Sequence, residues 1–336
     1  MISKDIIEKT LSLRSKYFEN NSDHDQAFRL FNGYLEGFPG LVIELFADTL
    51  VIFYNLNYEP SIEEQLLSIG KIYLEKLPWI SSILLKCRKC SSIELKRGKP
   101  LLGDKLPDYI KEKNTYYAID LRLNQDASFY IDTRLLREWL SKNSADKSIL
   151  NTFAYTGSYG TAALSGTAQK VIQTDINKRF LNIASRSYNL NHYSTKKNPL
   201  ITSDFFKLVS NLKHQDRLFD MVILDPPYFS STSSGRISMN DQTLKMINKV
   251  RPLVAHDGNL IIINNALFVS GKSFMGTLEQ LCSSDYVQYN DMINVPDDIT
   301  GLNTGINKLP ADPAPFNHAT KIAILSIKRK DKAKAQ

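Results

Sequence analysis

The chain has 336 residues, 43% of them hydrophobic and 23% charged, which excludes a fibrous or wholly disordered polypeptide. Its length leaves room for two domains of roughly 100 to 200 residues. The formal net charge of +7 sets up a positive field that favours encounters with polyanions without identifying one. Cys87, Cys90 and Cys282 are too few for a disulfide framework and fit a reducing compartment. His24, His192, His214, His256 and His318 stand singly, so no zinc-ligand spacing is present and no metal is expected.

At the N-terminus, Lys4, Asp5, Glu8 and Lys9 occupy positions where a secretory leader needs apolar residues. No apolar run reaches the roughly 20 residues of a membrane span. A cytoplasmic protein without membrane contact is expected. Residues 4–18 place Ile6, Ile7, Leu11, Leu13, Tyr17 and Phe18 among charges, the pattern of an amphipathic helix. From Phe28 the period changes. Phe28–Phe31, Leu41–Phe46 and Leu50–Leu56 are apolar runs broken by Gly33, Gly37, Pro39, Gly40 and Asp48, which predict strands joined by turns. A helix is predicted from after Ser61 to about Lys76, then strands at Ile83–Leu85 and Ile93–Leu95. Lys86, Arg88, Lys89, Lys96, Arg97 and Lys99, relieved only by Glu94, form a candidate phosphate-facing cluster. At the far end Lys328, Arg329, Lys330, Lys332 and Lys334 fit a solvated tail.

From Ser148 apolar runs alternate with helical stretches. Strands are predicted at Ile149–Phe153, Val171–Thr174, Leu200–Thr202, Met221–Leu224 and Leu260–Ile263, with helices at 159–168, 177–190, 204–212, 241–255 and 272–284. Such βα units imply a parallel sheet covered on both faces, an α/β doubly wound fold. Tyr286–Val295 and Lys321–Lys328 would add antiparallel strands at one edge.

In an open parallel sheet the ligand sits beyond the carboxyl ends of the strands. The first strand runs into Asn151-Thr152-Phe153-Ala154-Tyr155-Thr156-Gly157, a glycine turn that serves a close backbone approach or packing alone. The second ends in Asp175, placed to accept hydrogen bonds from two ribose hydroxyls, which points to an adenosine-bearing cofactor. Asp204 follows the third strand, where it can meet an adenine amine or cap the next helix. The fourth runs into Asp225-Pro226-Pro227-Tyr228. Two prolines fix a rigid exit that holds a carboxylate and carbonyls toward the pocket, with an aromatic face for a planar base.

Phe129-Tyr130-Ile131-Asp132-Thr133-Arg134, the segment Leu150–Gly157, Thr174-Asp175 and Leu224–Ser230 resemble the bacterial large-subunit ribosomal RNA methyltransferases that modify cytosine C5 or guanine N7. Arg29-Leu30-Phe31-Asn32-Gly33 and Gly37–Ile43 resemble the small α+β domain preceding the catalytic domain in that family. The resemblance implies a class I, S-adenosylmethionine-dependent methyltransferase domain. By that likeness Tyr130, Asp132, Arg134, Asn151, Phe153, Tyr155, Thr156, Gly157, Asp175, Asp204 and Asp225 would line the cofactor site. The partner it implies is RNA, 23S ribosomal RNA or its assembly particle. Two departures matter. Cytosine-C5 members usually begin with a PUA RNA-binding domain, which is not seen here. They also carry a cysteine nucleophile after the fifth strand, where this chain has Asn264 and Asn265. Carbon C5 is a poor nucleophile until a thiolate adds at C6.

The resulting expectation is an RNA base methyltransferase acting on a ring or exocyclic nitrogen, guanine favoured, with Asp225, Pro226, Pro227, Tyr228, Asn264 and Asn265 at the reacting centre. The expected organisation is an N-terminal helical segment (1–27), a small α+β domain (28–118), the methyltransferase domain (119–330) and a basic tail (331–336), with a homodimer left open. Alternatives are cytosine-C5 methylation, protein-glutamine N-methylation, a nicotinamide-dependent dehydrogenase and a non-catalytic RNA-binding module.

Overall fold

A computed structural model describes residues 2–19, 23–227, 239–300 and 312–330. The chain divides into two compact units. The first runs to Ile131 and takes back the chain from Pro296; the second runs from Asp132 to Val295 and includes the last strand.

The first unit opens with α1 (Lys4–Arg14), whose first turn is capped by the Ser3 hydroxyl. Strands β1 (Ala27–Phe31), β2 (Leu41–Phe46) and β3 (Thr49–Tyr54) form an antiparallel meander. Helix α2 (Ile62–Lys76) then crosses over to β4 (Ser82–Cys87), which pairs parallel with β3. Alternate residues Phe28, Leu30, Ile43, Leu45, Leu50, Ile52, Ile83 and Leu85 share one core with Ile7 and Leu11 of α1 and Leu66, Ile69 and Tyr73 of α2. Gly33 sits at φ 73° where a Cβ would lie 1.7 Å from the Leu41 carbonyl oxygen, so this turn excludes every side chain.

The residues that carry the N-terminal part of the resemblance knit this unit together. Arg29 donates to Glu44 across the β1–β2 pair at 2.6 and 3.1 Å. The Asn32 amide N–H donates to Glu36 Oε2 at 3.0 Å, and Glu36 Oε1 accepts from buried Arg14 at 3.0 Å.

Ile93–Leu95, expected as a strand, instead opens a short helix, α3 (Ile93–Arg97). The Ser92 hydroxyl accepts the Leu95 N–H at 3.3 Å and Gly98, at φ 129°, ends the helix. The strand follows as β5 (Lys99–Leu102), antiparallel to β4. Strands β6 (Tyr109–Glu112) and β7 (Thr115–Ala118) form a separate hairpin.

The basic cluster is also corrected. Lys86 is buried, its Nζ donating to the carbonyls of Arg97 and Asn124 at 2.6 and 2.7 Å, and burial pushes its pKa down to about 8. Lys99 pairs with Glu63 at 2.7 Å. Arg88, Lys89 and Arg97 remain exposed and Lys96 is half-buried.

In the second unit α4 (Arg134–Asn143) precedes β8 (Ser148–Thr152), α5 (Ser158–Ser165), β9 (Lys170–Asp175), α6 (Lys178–Leu190), β10 (Leu200–Thr202), α7 (Phe205–His214) and β11 (Phe219–Leu224). Then come α8 (Met239–Val250), β12 (Val254–Asn264), α9 (Gly271–Cys282), β13 (Val287–Ile293) and β14 (Lys321–Ile327). The sheet order is β10-β9-β8-β11-β12-β14-β13. The first five strands are parallel, and the antiparallel pair completes one side. Leu150, Ile172, Val222, Leu224, Leu260 and Ile262 meet α7, α8 and α9 on one face. Their neighbours Ile149, Val171, Met221, Ile223, Ile261 and Ile263 are equally buried on the other, where α5 and α6 pack. This is the doubly wound arrangement expected.

The expected solvated tail is docked as far as residue 330. The Arg329 amide donates to His256 Nδ1 at 3.0 Å, its guanidinium to the Pro252 carbonyl at 2.9 Å, and Lys330 Nζ lies 4.7 Å above the Tyr286 ring. Lys332 and Lys334 lie outside the described residues. Among the described residues no helix is long and apolar enough to cross a membrane.

The Arg14–Glu36 pair generates a stability test. Glu36→Ala leaves a buried guanidinium uncompensated and should cost about 3–5 kcal/mol, whereas replacing both residues by Met should cost far less. Denaturant titration of the three variants, followed by Trp79 fluorescence, checks the order.

Candidate active site

The chain runs from β8 through β9 to β10 on one side and through β11 and β12 on the other, so the switch point lies between β8 and β11. The loop leaving β8 is unusual. Phe153, Tyr155 and Gly157 have φ of 54°, 49° and 78°, a conformation two non-glycine residues adopt only under constraint. The expected strand therefore stops at Thr152 rather than Phe153. The Ala154 N–H donates to the Thr174 carbonyl at 2.8 Å and the Tyr155 N–H to Asp175 Oδ2 at 2.9 Å. Phe153 stacks on Phe205 at 4.8 Å, and Tyr155 meets Phe180 edge-on at 4.5 Å. A Cβ on Gly157 would lie 2.4 Å from that of Ala184, so packing against α6 demands glycine as much as the backbone angle does.

Asp175 ends β9 with both oxygens engaged once, Oδ1 accepting the Asn177 N–H at 2.8 Å. Each oxygen keeps a further lone pair. Beside it Ile176 is 73% exposed, an apolar surface next to a carboxylate. Asp204 caps α7 by accepting the Lys207 N–H at 3.0 Å, which realises one of its two expected roles. Buried Asn151 donates to Gln173 Oε1 at 2.8 Å, and Gln173 donates to Tyr188 at 3.0 Å beneath the loop. Thr156 is buried in the turn. Asp132 and half-buried Arg134 begin the second unit; Asp132 Oδ2 accepts the Thr320 hydroxyl at 2.7 Å. Tyr130 belongs to the first unit, exposed, with its hydroxyl on Asp126 at 3.0 Å.

Asp225 follows β11. Its Oδ2 accepts the Tyr159 hydroxyl at 2.9 Å, while Oδ1 is sealed from solvent with no partner among the described residues. Burial pushes its pKa up to about 7; the Tyr159 hydrogen bond opposes this and the Asp132 carboxylate adds to it. Pro226 is buried and Pro227 exposed. Tyr228 lies outside the described residues. The two asparagines diverge: Asn265 is exposed, whereas Asn264 is buried, accepts the Ala266 N–H at 3.0 Å and leaves Nδ2 without a partner among the described residues.

A buried acceptor and a buried donor, unmatched at the ends of adjacent strands, fit a polar ligand that supplies both partners. With the loop at Gly157 and the carboxylate of Asp175, the residues present fit an adenosine-bearing amino acid cofactor. Among the described residues no cluster of three or more His, Cys, Asp or Glu could hold a metal. Tyr159, Thr133 and Thr320 were not singled out from sequence. The one available signal was a tyrosine inside the small-residue helix Ser158–Ser165.

A family model for S-adenosylmethionine-dependent methyltransferases matches residues 79–300. A protein of Yersinia pseudotuberculosis called ribosomal RNA large subunit methyltransferase I is 30% identical over 244 residues, 67% of this chain and 58% of that protein. Its namesake in Alteromonas mediterranea is 29% identical over 235 residues, 66% of this chain and 56% of that protein. The chain thus spans little more than half the length of the curated relatives it matches. Among solved structures, a candidate S-adenosylmethionine-dependent methyltransferase from Streptococcus mutans superposes with a TM-score of 0.80 at 20% identity, covering 97% of this chain and 82% of that one. A tRNA m1G37 methyltransferase from Methanocaldococcus jannaschii follows at 0.54 and 16%, covering 84% and 73%. These likenesses show the fold. The extent of the family match and the order of the strand-end residues lead to one conclusion: the chain belongs to the S-adenosylmethionine-dependent methyltransferase family.

Proposed function

We propose that this chain methylates a nitrogen of a base, guanine favoured, in large-subunit ribosomal RNA. S-adenosylmethionine, when bound, supplies a methyl group already activated on a sulfonium. Asp175 would take the ribose hydroxyls, the loop 153–157 would admit the cofactor against backbone, and Asn264 Nδ2 would meet a carboxylate or a base carbonyl. Asp225 Oδ1 and the prolines after it would orient the base edge, so that catalysis rests largely on alignment.

The observation that carries the nitrogen assignment is Asn264 at the end of β12, where carbon methylation calls for a thiol. Cys282 lies half-buried at the end of α9 and burial pushes its thiol up. Cys87, in the first unit, is pushed up to about 11, chiefly by burial. Neither has the depressed pKa of an activated thiolate. RNA as substrate is supported by the names of the relatives and by exposed Arg88, Lys89 and Arg97 on the first unit. Such a substrate would place the enzyme in the cytoplasm.

Asp175→Ala should bind S-adenosylmethionine about tenfold or more weakly, since a hydrogen bond to a charged group contributes about 1.5–3 kcal/mol. Calorimetry on the folded variant checks it, and unchanged affinity would leave Asp175 with its loop-holding role alone. Transfer to ribosomal RNA should yield 7-methylguanosine or an exocyclic N-methyl nucleoside on nuclease digestion and mass spectrometry. RNA containing 5-fluorocytidine should form no covalent adduct; a cofactor-dependent adduct, or 5-methylcytidine in the digest, would overturn the nitrogen assignment.

A further inference from the structure

Inside the second unit a chain of hydrogen bonds runs to Asp225 from a group that cannot lose its proton. Buried Arg137, on α4, donates through Nη1 to the Thr133 hydroxyl oxygen at 2.9 Å. The Thr133 side chain bonds Tyr159, and the Tyr159 hydroxyl donates to Asp225 Oδ2 at 2.9 Å. A hydroxyl has a single proton. The one Tyr159 proton goes to Asp225, so in its bond with Tyr159 the Thr133 hydroxyl is the donor, while its oxygen accepts from Arg137. Burial holds the Tyr159 phenol well above the usual range, so it stays a donor at every physiological pH.

Asp132 completes the surroundings. Its carboxylate faces both Tyr159 and Asp225, and the Thr320 hydroxyl holds it from β14's leading edge. Among the described residues, the charged or titratable groups facing Asp225 are therefore Tyr159 from α5 and Asp132 from the turn before α4. With Oδ2 occupied, Oδ1 is the oxygen left over, and it has no partner among the described residues.

We propose that Tyr159 is a positioning residue for methyl transfer: anchored through Thr133 on Arg137, its hydroxyl fixes the Asp225 carboxyl so that Oδ1 is presented to the substrate. The proposal rests on Asp225 lining the reacting centre. The hydrogen bond favours the ionised carboxyl, in which Oδ1 accepts from a base amine; protonation would convert it to a donor. Activity that needs the ionised form is present above the Asp225 pKa and is lost as pH falls through it. Removing the Tyr159 hydroxyl raises that pKa, so the acidic limb moves to higher pH.

The test is Tyr159→Phe, which keeps the ring, beside Thr133→Val, which breaks the chain one link earlier. In protein labelled with 13C at the aspartate carboxyls, Asp225→Asn identifies the Asp225 resonance. Its wild-type midpoint should lie near pH 7. Tyr159→Phe should raise it by about 1 pH unit, a tenfold tighter hold on the proton. Thr133→Val should raise it by less, and the acidic limb of kcat should follow while the KM for S-adenosylmethionine changes little. An unmoved Asp225 midpoint in Tyr159→Phe would overturn the proposal, as would a moved midpoint with an unmoved kcat limb. If wild-type protein methylates no RNA, the nitrogen and substrate reading fails while the carboxyl titration still decides whether Tyr159 governs Asp225.

Discussion

The carboxylate of Asp175 holds two backbone amides at once, Tyr155 N–H from the loop after β8 and Asn177 N–H from the start of its own helix. That bridge fixes the loop leaving β8 against the end of β9, where α6 begins. The loop carries two non-glycine residues at positive φ, each costing about 1–3 kcal/mol, and a charge-assisted hydrogen bond contributes about 1.5–3 kcal/mol in return. With the loop held, α5 starts at Ser158, and Tyr159 in its first turn reaches Asp225. A ribose-binding carboxylate in the proposed function is thus also the clamp that ties the loop after β8 to the end of β9.

The two units bury ionisable groups for different ends. In the first, Glu36 has both oxygens taken, by Arg14 and by the Asn32 amide, and the arrangement joins α1 to the turn after β1. In the second, Asp225 has one oxygen taken and, among the described residues, one left over, and burial raises its proton affinity into the neutral range. A satisfied buried charge is a fastening. An unsatisfied one keeps a desolvation cost that a ligand can relieve, which makes Asp225 a candidate for the reacting centre.

Positive charge shows how composition misleads when taken without depth. Lys86 looked like part of a phosphate-facing run, yet it projects inward and ties the end of α3 to the turn at Asn124 by their carbonyls. Lys99 is neutralised by Glu63, and Arg329 packs its guanidinium on the Pro252 carbonyl. What remains for a polyanion in the first segment is Arg88, Lys89, Arg97 and part of Lys96. The long methylene stems of lysine and arginine permit either use, and nothing in their one-dimensional spacing distinguishes them.

Local periodicity determined the strand and helix alternation of the second unit, its parallel sheet and the residues at each strand end, because period and turn chemistry are properties of short segments. It failed at Ile93–Leu95, where three residues are too few to show a period and a serine cap decided for helix. The motifs singled out Gly157, Asp175, Asp225 and Asn264 as candidates, since glycine turns and strand-end polar groups have few uses. Only the tertiary structure decided which partners each one meets. It turned Asn264 inward and Asn265 out, assigned Asp204 to its helix, and set Tyr159, Thr133, Arg137 and Thr320 around the two carboxyls. Those partners come from α4, α5 and the approach to β14, far apart in the chain, and their meeting depends on strand order and helix docking, which no local pattern encodes.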